Sequence, residues 1–190
     1  MKTTTTILAL SALLTGCNLA KKPDSFSSIT AHIGSAEERA QFGGQVHLFR
    51  DRKAGFFMSL GLSGDFKDYP EYPVGTAAGF GDPEKGVQKS AVGLGLGPTW
   101  GWELSPSNGK ARKVGVFGGP YFGVKSEEII YDDPTNILEQ GQGGYTEGTG
   151  ESDMDFGGIV GVQYFHGKYV VGVQYDSFHQ GVALSLGASF

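Results

Sequence analysis

Asp176, Ser177 and His179 fall within four consecutive positions, and residues of these types can do acid–base chemistry together. A histidine oriented by a carboxylate takes a proton from water or from a hydroxyl, and a serine so activated becomes a nucleophile. His32 is expected at the same rim of the molecule. Asp, Ser and His are also common in tight turns, so the segment is read first as a turn and only then as a catalytic set.

A second constellation is acidic. Glu151, Asp153 and Asp155 recur at a spacing of two, which in an extended chain puts them on one face. With Asp132 and Asp133 they offer the carboxylate oxygens that Ca²⁺ prefers. The stretch from Ser126 to Asp155 holds nine carboxylates and no Lys or Arg, so a solvated acidic loop is the expectation and no metal or cofactor is assigned. Phe66, Tyr69, Tyr72 and Phe80 stand among prolines and glycines in another long loop, about Gly64 to Lys89. Aromatics so placed bring large, stiff contact area to a recognition surface, or pack over whatever lies beneath.

These residues must be held by strands. In Val182 to Phe190, apolar Val182, Leu184, Leu186, Ala188 and Phe190 alternate with Ala183, Ser185, Gly187 and Ser189. The same period of two recurs upstream: at Ile29, Ala31 and Ile33; at Phe42 to Leu48; at Phe56 to Leu62; and at Val92 to Leu104. It returns at Val114 to Val124, Phe156 to Tyr164 and Tyr169 to Tyr175. That makes eight strands, an even number suited to a closed antiparallel barrel. The apolar set carries large side chains, whereas the other is mostly Gly, Ser, Thr and Gln. A water-soluble barrel would turn the large set inward; lipid around the molecule would turn it outward. Phe56, Trp100, Trp102, Tyr164, Tyr169 and Phe190 then fall at one rim and Phe42, Phe122, Phe156 and Tyr175 at the other, as two aromatic girdles.

With 32 Gly, 13 Phe, 8 Tyr and 18% charged residues in 190, the composition suits one all-β domain. A net charge of −5 without a basic cluster excludes nucleic acid as the main partner. Inward-facing Gly93, Gly95, Gly97, Gly115, Gly119, Gly123, Gly157 and Gly161 permit tight curvature and make room for Phe117, Tyr121 and Phe165. His47, Glu103, Gln163 and Gln174 also point inward, with Lys113 placed to meet Glu103 across a turn around 105–109.

The amino terminus is a targeting segment: Lys2 is followed by the apolar run Ile7 to Leu14, too short to span a bilayer. Leu14-Thr15-Gly16-Cys17 resembles the lipobox of bacterial lipoproteins. The resemblance implies removal of residues 1–16 and lipidation of Cys17, with Asn18 directing the product to the outer membrane. Residues 17–27 read as a tether and residues 28–190 as the barrel.

The strand pattern, loop asymmetry and final Phe of residues 28–190 resemble the small outer-membrane barrels: the outer-membrane protein A transmembrane domain, OmpX and the opacity proteins. This implies an eight-stranded antiparallel up-and-down transmembrane β-barrel, in contact with outer-membrane lipids and lipopolysaccharide. The implied role is a non-enzymatic surface barrel presenting extracellular loops for binding or adhesion, or supporting envelope integrity.

Pro98 and Pro120 suggest an alternative. Each lies inside a strand, where it cannot donate a ladder hydrogen bond, and the two come almost opposite each other. Such a seam resembles the proline gaps of outer-membrane lipid A palmitoyltransferases, which implies lateral lipid access and an acyl enzyme acting on lipid A. Phe178-His179-Gln180-Gly181 departs from the His-x-Ser-Asn signature of lipid A deacylases.

Overall fold

A computed structural model describes residues 26–36, 39–50, 53–65, 69–132, 144–147 and 151–190. Cys17, Phe66 and Asp133 lie outside them, as does the side chain of Glu151. The barrel strands are β1 (Phe26–Ala36), β2 (Arg39–Arg50), β3 (Ala54–Gly64), β5 (Glu84–Ser107), β6 (Lys110–Tyr131), β8 (Glu151–His166), β9 (Tyr169–Asp176) and β10 (Gly181–Ser189). Each is antiparallel to its neighbour, β1 pairs with β10, and the β6–β8 pairing completes the ring. Closure leaves no strand edge within the wall, the condition for crossing hydrocarbon. No helix among the described residues is long and apolar enough to cross a membrane.

The two faces settle which solvent the wall suits. Leu184 and Leu186 are 63% and 68% exposed on the outside, and Val160, Val173, Trp100 and Trp102 share that surface. Ser28, Thr30, Gln45, His47, Gln163 and Gln174 are buried inside. Polar-in and apolar-out is the arrangement of a transmembrane barrel and the reverse of a water-soluble one.

Strand ends follow local chemistry. β1 starts at Phe26 rather than at residue 28, because the amide of Ser27 donates to the carbonyl of Phe190 and Phe26 pairs with Phe49. Asn108 and Gly109 both have positive φ, 52° and 73°, so the β5–β6 connection is the tight mirror-image turn that favours Asn-Gly. Ser105 to Ser107, expected in this turn, belong to β5 across a register shift.

The two long loops are partly sheet. β5 has 24 residues and β6 has 22, while a tilted strand crosses hydrocarbon in about ten. The excess forms a ribbon above the outer end, with Glu84 to Lys89 paired to Glu127 to Tyr131. Lys89 bonds Glu127 at 2.7 Å and Lys85 bonds Asp132 at 3.3 Å, so charges that suggest a solvated loop are cross-strand partners. On the β6 side sit β7 (Tyr145–Glu147) and β4 (Glu71–Tyr72), followed by the short helix α1 (Thr76–Phe80).

The lumen is filled. One apolar cluster joins Phe57, Phe117, Tyr121, Ile159 and Phe178; another, near the end where β1 begins, joins Phe49, Phe165 and Val170, with Phe26 against it. The Lys113 ammonium lies 3.6 Å from the Phe49 ring centroid and 4.6 Å from that of Phe26, which closes this end with a cation on aromatic faces. Glu103 is its register partner.

Candidate functional site

The outer mouth is where the chemistry-bearing residues meet. β9 ends at Asp176, and the turn from Ser177 to Gln180 folds back into the barrel before β10 begins. Gln180 takes a left-handed φ of 54°, and Phe178 and His179 are buried. Space for this turn comes from glycine. His32, Gly43, Gly61, Gly93 and Gly123 form one row of register partners across five strands. A methyl group at Gly43 would meet the His32 ring, and at Gly61 Tyr121 Oη and His179. At Gly93 it would meet Tyr121 and Phe178, and at Gly123 Phe178 again. Side chains therefore occupy the space that an acyl chain would need.

Within that layer lies a buried polar cluster. The side chains of Asp176 and His179 are both 0% exposed, and His179 Nδ1 stands 2.9 Å from Asp176 Oδ1. The amide of His179 donates to the same oxygen at 2.6 Å, and Gln41 Nε2 donates to Asp176 Oδ2 at 2.6 Å. Tyr121 Oη donates to the carbonyl of Gly93 at 2.9 Å. His179 Nε2, both ring nitrogens of His32 and Gln41 Oε1 are buried without a hydrogen-bond partner. Of the four residues read as a possible acid–base set, Asp176 and His179 form a pair and His32 lies within electrostatic reach of both. Ser177 is apart: its hydroxyl is on the exterior, accepting from the amide of Gly158 at 2.8 Å.

Above the cluster is a cavity of about 240 Å³, lined by Ser63, Ala91, Arg39, Lys89, Lys125 and His179 among others. Its cations each have a carboxylate: Arg39–Asp65 at 3.7 Å, Lys89–Glu127 at 2.7 Å and Lys125–Asp155 at 2.6 Å. Asp155 and Asp132 are thus each held by a lysine, and Asp153 stands opposite Lys125 in register. Among the described residues no group of three or more His, Cys, Asp or Glu is arranged to hold a metal ion.

Pro98 and Pro120 act on a single seam. The amide of Gly101 donates to Lys53 on the β3 side, so by alternation the even-numbered positions of β5 direct their backbone groups at β6. The carbonyl of Ala111 accepts from Gly167 on the β8 side, so even-numbered positions of β6 face β5. Both missing N–H groups therefore belong to the β5–β6 ladder. That ladder is interrupted between Gly95↔Tyr121 and Thr99↔Phe117, with unchanged register on either side.

The loop aromatics divide. Tyr72 packs edge-on against Tyr145 at 5.5 Å, Tyr69 lies beside Gly144, and Phe80 is 53% exposed. Glu147, which the sequence reading missed, ties this region together. Its carboxylate accepts from the amides of Gly75 at 2.9 Å and Ala77 at 2.6 Å, satisfying the start of α1.

No family model matches the chain, and no curated protein matches it. Among solved structures it is similar to Ail, the attachment invasion locus protein of Yersinia pestis, at 12% identity over 87% of this chain and 96% of that one, with a TM-score of 0.45. Ail in complex with the heparin analogue sucrose octasulfate gives a TM-score of 0.44. Neisserial surface protein A is similar at 9% identity, over 87% and 92% of the two chains, with a TM-score of 0.38. Likeness of this degree carries nothing about activity.

Proposed function

We propose that this chain is an outer-membrane surface barrel that presents an ordered extracellular platform for binding. The observation that carries this reading is the ribbon of β5 and β6, which continues past the lipid-facing band and has β4, β7 and α1 packed on it. Ordering chain costs about 1–2 kcal/mol per residue in backbone entropy, and a passive connection would not need the buried Tyr145, Thr146 and Glu147 that hold the platform. Val74, Phe80, Val87 and Ile129 are exposed on the platform and supply apolar area for an extracellular partner. The filled lumen favours binding over passage of solutes. Outer-membrane lipids and lipopolysaccharide would contact the wall, and lipidation at Cys17 would add an anchor through the tether.

Retention of cells displaying the barrel on arrays of glycans and matrix proteins tests this. Replacing residues 69–82 by a Gly/Ser linker, with the barrel still folded by its unboiled gel mobility, is expected to abolish retention. Equal retention of both forms would overturn the reading.

The interrupted β5–β6 ladder supports a second reading, a lipid A-modifying acyl enzyme with lateral access at Pro98 and Pro120. Unchanged lipid A mass spectra with and without the gene would remove it.

A further inference from the structure

We infer that the lipid-facing rim around Arg112, at the end of the barrel where the strands turn tightly, binds the phosphodiester headgroup of an anionic phospholipid. Short turns lie at the periplasmic end of an outer-membrane barrel, so the ligand belongs to the inner leaflet. The site is separate from the loop platform and from the seam at Pro98 and Pro120.

An anchored guanidinium stands at its centre. Leu104, Arg112, His166 and Tyr169 are successive register partners across β5, β6, β8 and β9, at outward-facing positions one step beyond Trp102, Val114, Tyr164 and Val171. Arg112 Nε donates to Tyr164 Oη at 2.7 Å, and the guanidinium carbon lies 5.7 Å from the centroid of that ring. Tied down through Nε, the side chain keeps both terminal nitrogens for a ligand, and these form the fork that matches two phosphate oxygens. Fixing the fork in advance lowers the cost of binding.

Charge at this rim is uncompensated. Lys110 runs beside Gly167, and Lys168 stands 5.5 Å from the Tyr169 ring centroid, so both flank Arg112 at the turn where the amide of Gly167 donates to Ala111. Among the described residues none of Lys110, Arg112 and Lys168 is paired with a carboxylate, whereas Arg39, Lys85, Lys89 and Lys125 at the opposite end each have one. Arg112 also borders a recess of about 450 Å³ with Leu104, Pro106 and Lys113, where Glu103 stands opposite Lys113 in register.

Depth identifies the anion. Trp100, Trp102, Tyr169 and Phe190 are exposed on the same outer surface, and a girdle of this kind sits at the level of lipid headgroups. The cations therefore lie where phospholipid phosphates already are. A zwitterionic headgroup would bring its own ammonium to a patch that is cationic, so the match is to a lipid of net negative charge.

Trp100 and Trp102 supply the test, because they are the only tryptophans in the chain and Trp102 lies one register step from the site. The full chain is reconstituted in phosphatidylcholine vesicles, and its fluorescence is quenched by a small fraction of either phosphatidylglycerol or phosphatidylcholine brominated close to the headgroup. Phosphatidylglycerol is expected to compete for the rim about fivefold better for each cation it engages. That preference should vanish in Arg112→Gln combined with Lys168→Gln, and fall in Tyr164→Phe, which keeps every charge but frees the guanidinium. It should persist in Lys85→Gln combined with Lys89→Gln, which removes the same charge from the other end. Unboiled gel mobility reports folding, and if Arg112→Gln does not fold, Lys168→Gln alone and Tyr164→Phe still decide. Equal quenching by the two lipids in the wild type would overturn the inference, as would a preference indifferent to Arg112, Lys168 and Tyr164, or one lost equally from the Lys85 and Lys89 pair. Millimolar glycerol phosphate should leave the preference intact. If it abolishes the preference, the rim holds a soluble phosphate and the assignment to a lipid is overturned.

Discussion

Gln41 Nε2 donates to Asp176 Oδ2 at 2.6 Å from strands that are not neighbours in the wall, since β1 and β10 stand between β2 and β9. The bond thus crosses the lumen and braces the barrel from within. Substituting Gln41→Ala strips the carboxylate of one donor in a site with no exposure. Hydrogen bonds to charged groups are worth about 1.5–3 kcal/mol, and a loss of that size is expected in urea unfolding from liposomes, followed by unboiled gel mobility. An unchanged midpoint would show that the brace carries no stability.

The glycine row predicts a non-additive pair. Gly61→Ala places a methyl against Tyr121 Oη and the His179 ring, and overpacking of this kind costs about 1–3 kcal/mol. Tyr121→Phe alone loses the bond to Gly93, yet combined with Gly61→Ala it removes the clashing oxygen. The double variant is therefore expected to be more stable than the sum of the two single losses implies, by about 0.5 kcal/mol or more. Simple additivity would mean that Tyr121 is not what fills the space over Gly61.

Hydrogen exchange reads the seam. Leu96 and Gly118 occupy even-numbered positions facing the β5–β6 ladder where pairing is interrupted, whereas Leu94 and Phe122 are paired directly beside it. The amides of Leu96 and Gly118 are expected to exchange about tenfold faster or more than those of Leu94 and Phe122, as locally weakened rungs do. Pro98→Val and Pro120→Val together should equalise them. Equal protection in the wild type would leave no gap in the wall.

Strand alternation carried the barrel, its eight strands and the side each residue faces, because a period of two is fixed by the pleat and lipid leaves no ambiguity about the apolar face. Ile33 outside and His32 inside follow from parity alone. The pairing of Asp176 with His179 was legible for the same local reason, being three residues apart across a turn. Gln41 was not, because its 135-residue separation from Asp176 closes only when the ring closes. Phe178 as the filler of the glycine row was also hidden, since nothing in Ser177 to Gln180 announces a turn folded inward. The ribbon escaped notice because Glu127-Glu128-Ile129-Ile130 lacks clean alternation. Its strands are specified by partners 38 to 47 residues away, from Lys89 opposite Glu127 to Glu84 opposite Tyr131, rather than by their own pattern.

Glu147 offers a way to loosen the platform without touching the barrel. Its two oxygens take the amides of Gly75 and Ala77, and α1, five residues long and starting from a left-handed glycine, has no side-chain cap of its own. A helix this short does not hold itself in water, so its order depends on that carboxylate and on burial of Ala77. Glu147→Ala is expected to release residues 73–82 to protease on intact cells while unboiled gel mobility and the urea midpoint of the barrel stay unchanged. Glu147→Gln retains one acceptor oxygen and should fall between the two. If surface display through this platform is what the protein does, retention of cells on the arrays should decline in the same order, wild type above Glu147→Gln above Glu147→Ala. Retention that ignores the proteolysis order would place the binding surface elsewhere on the barrel.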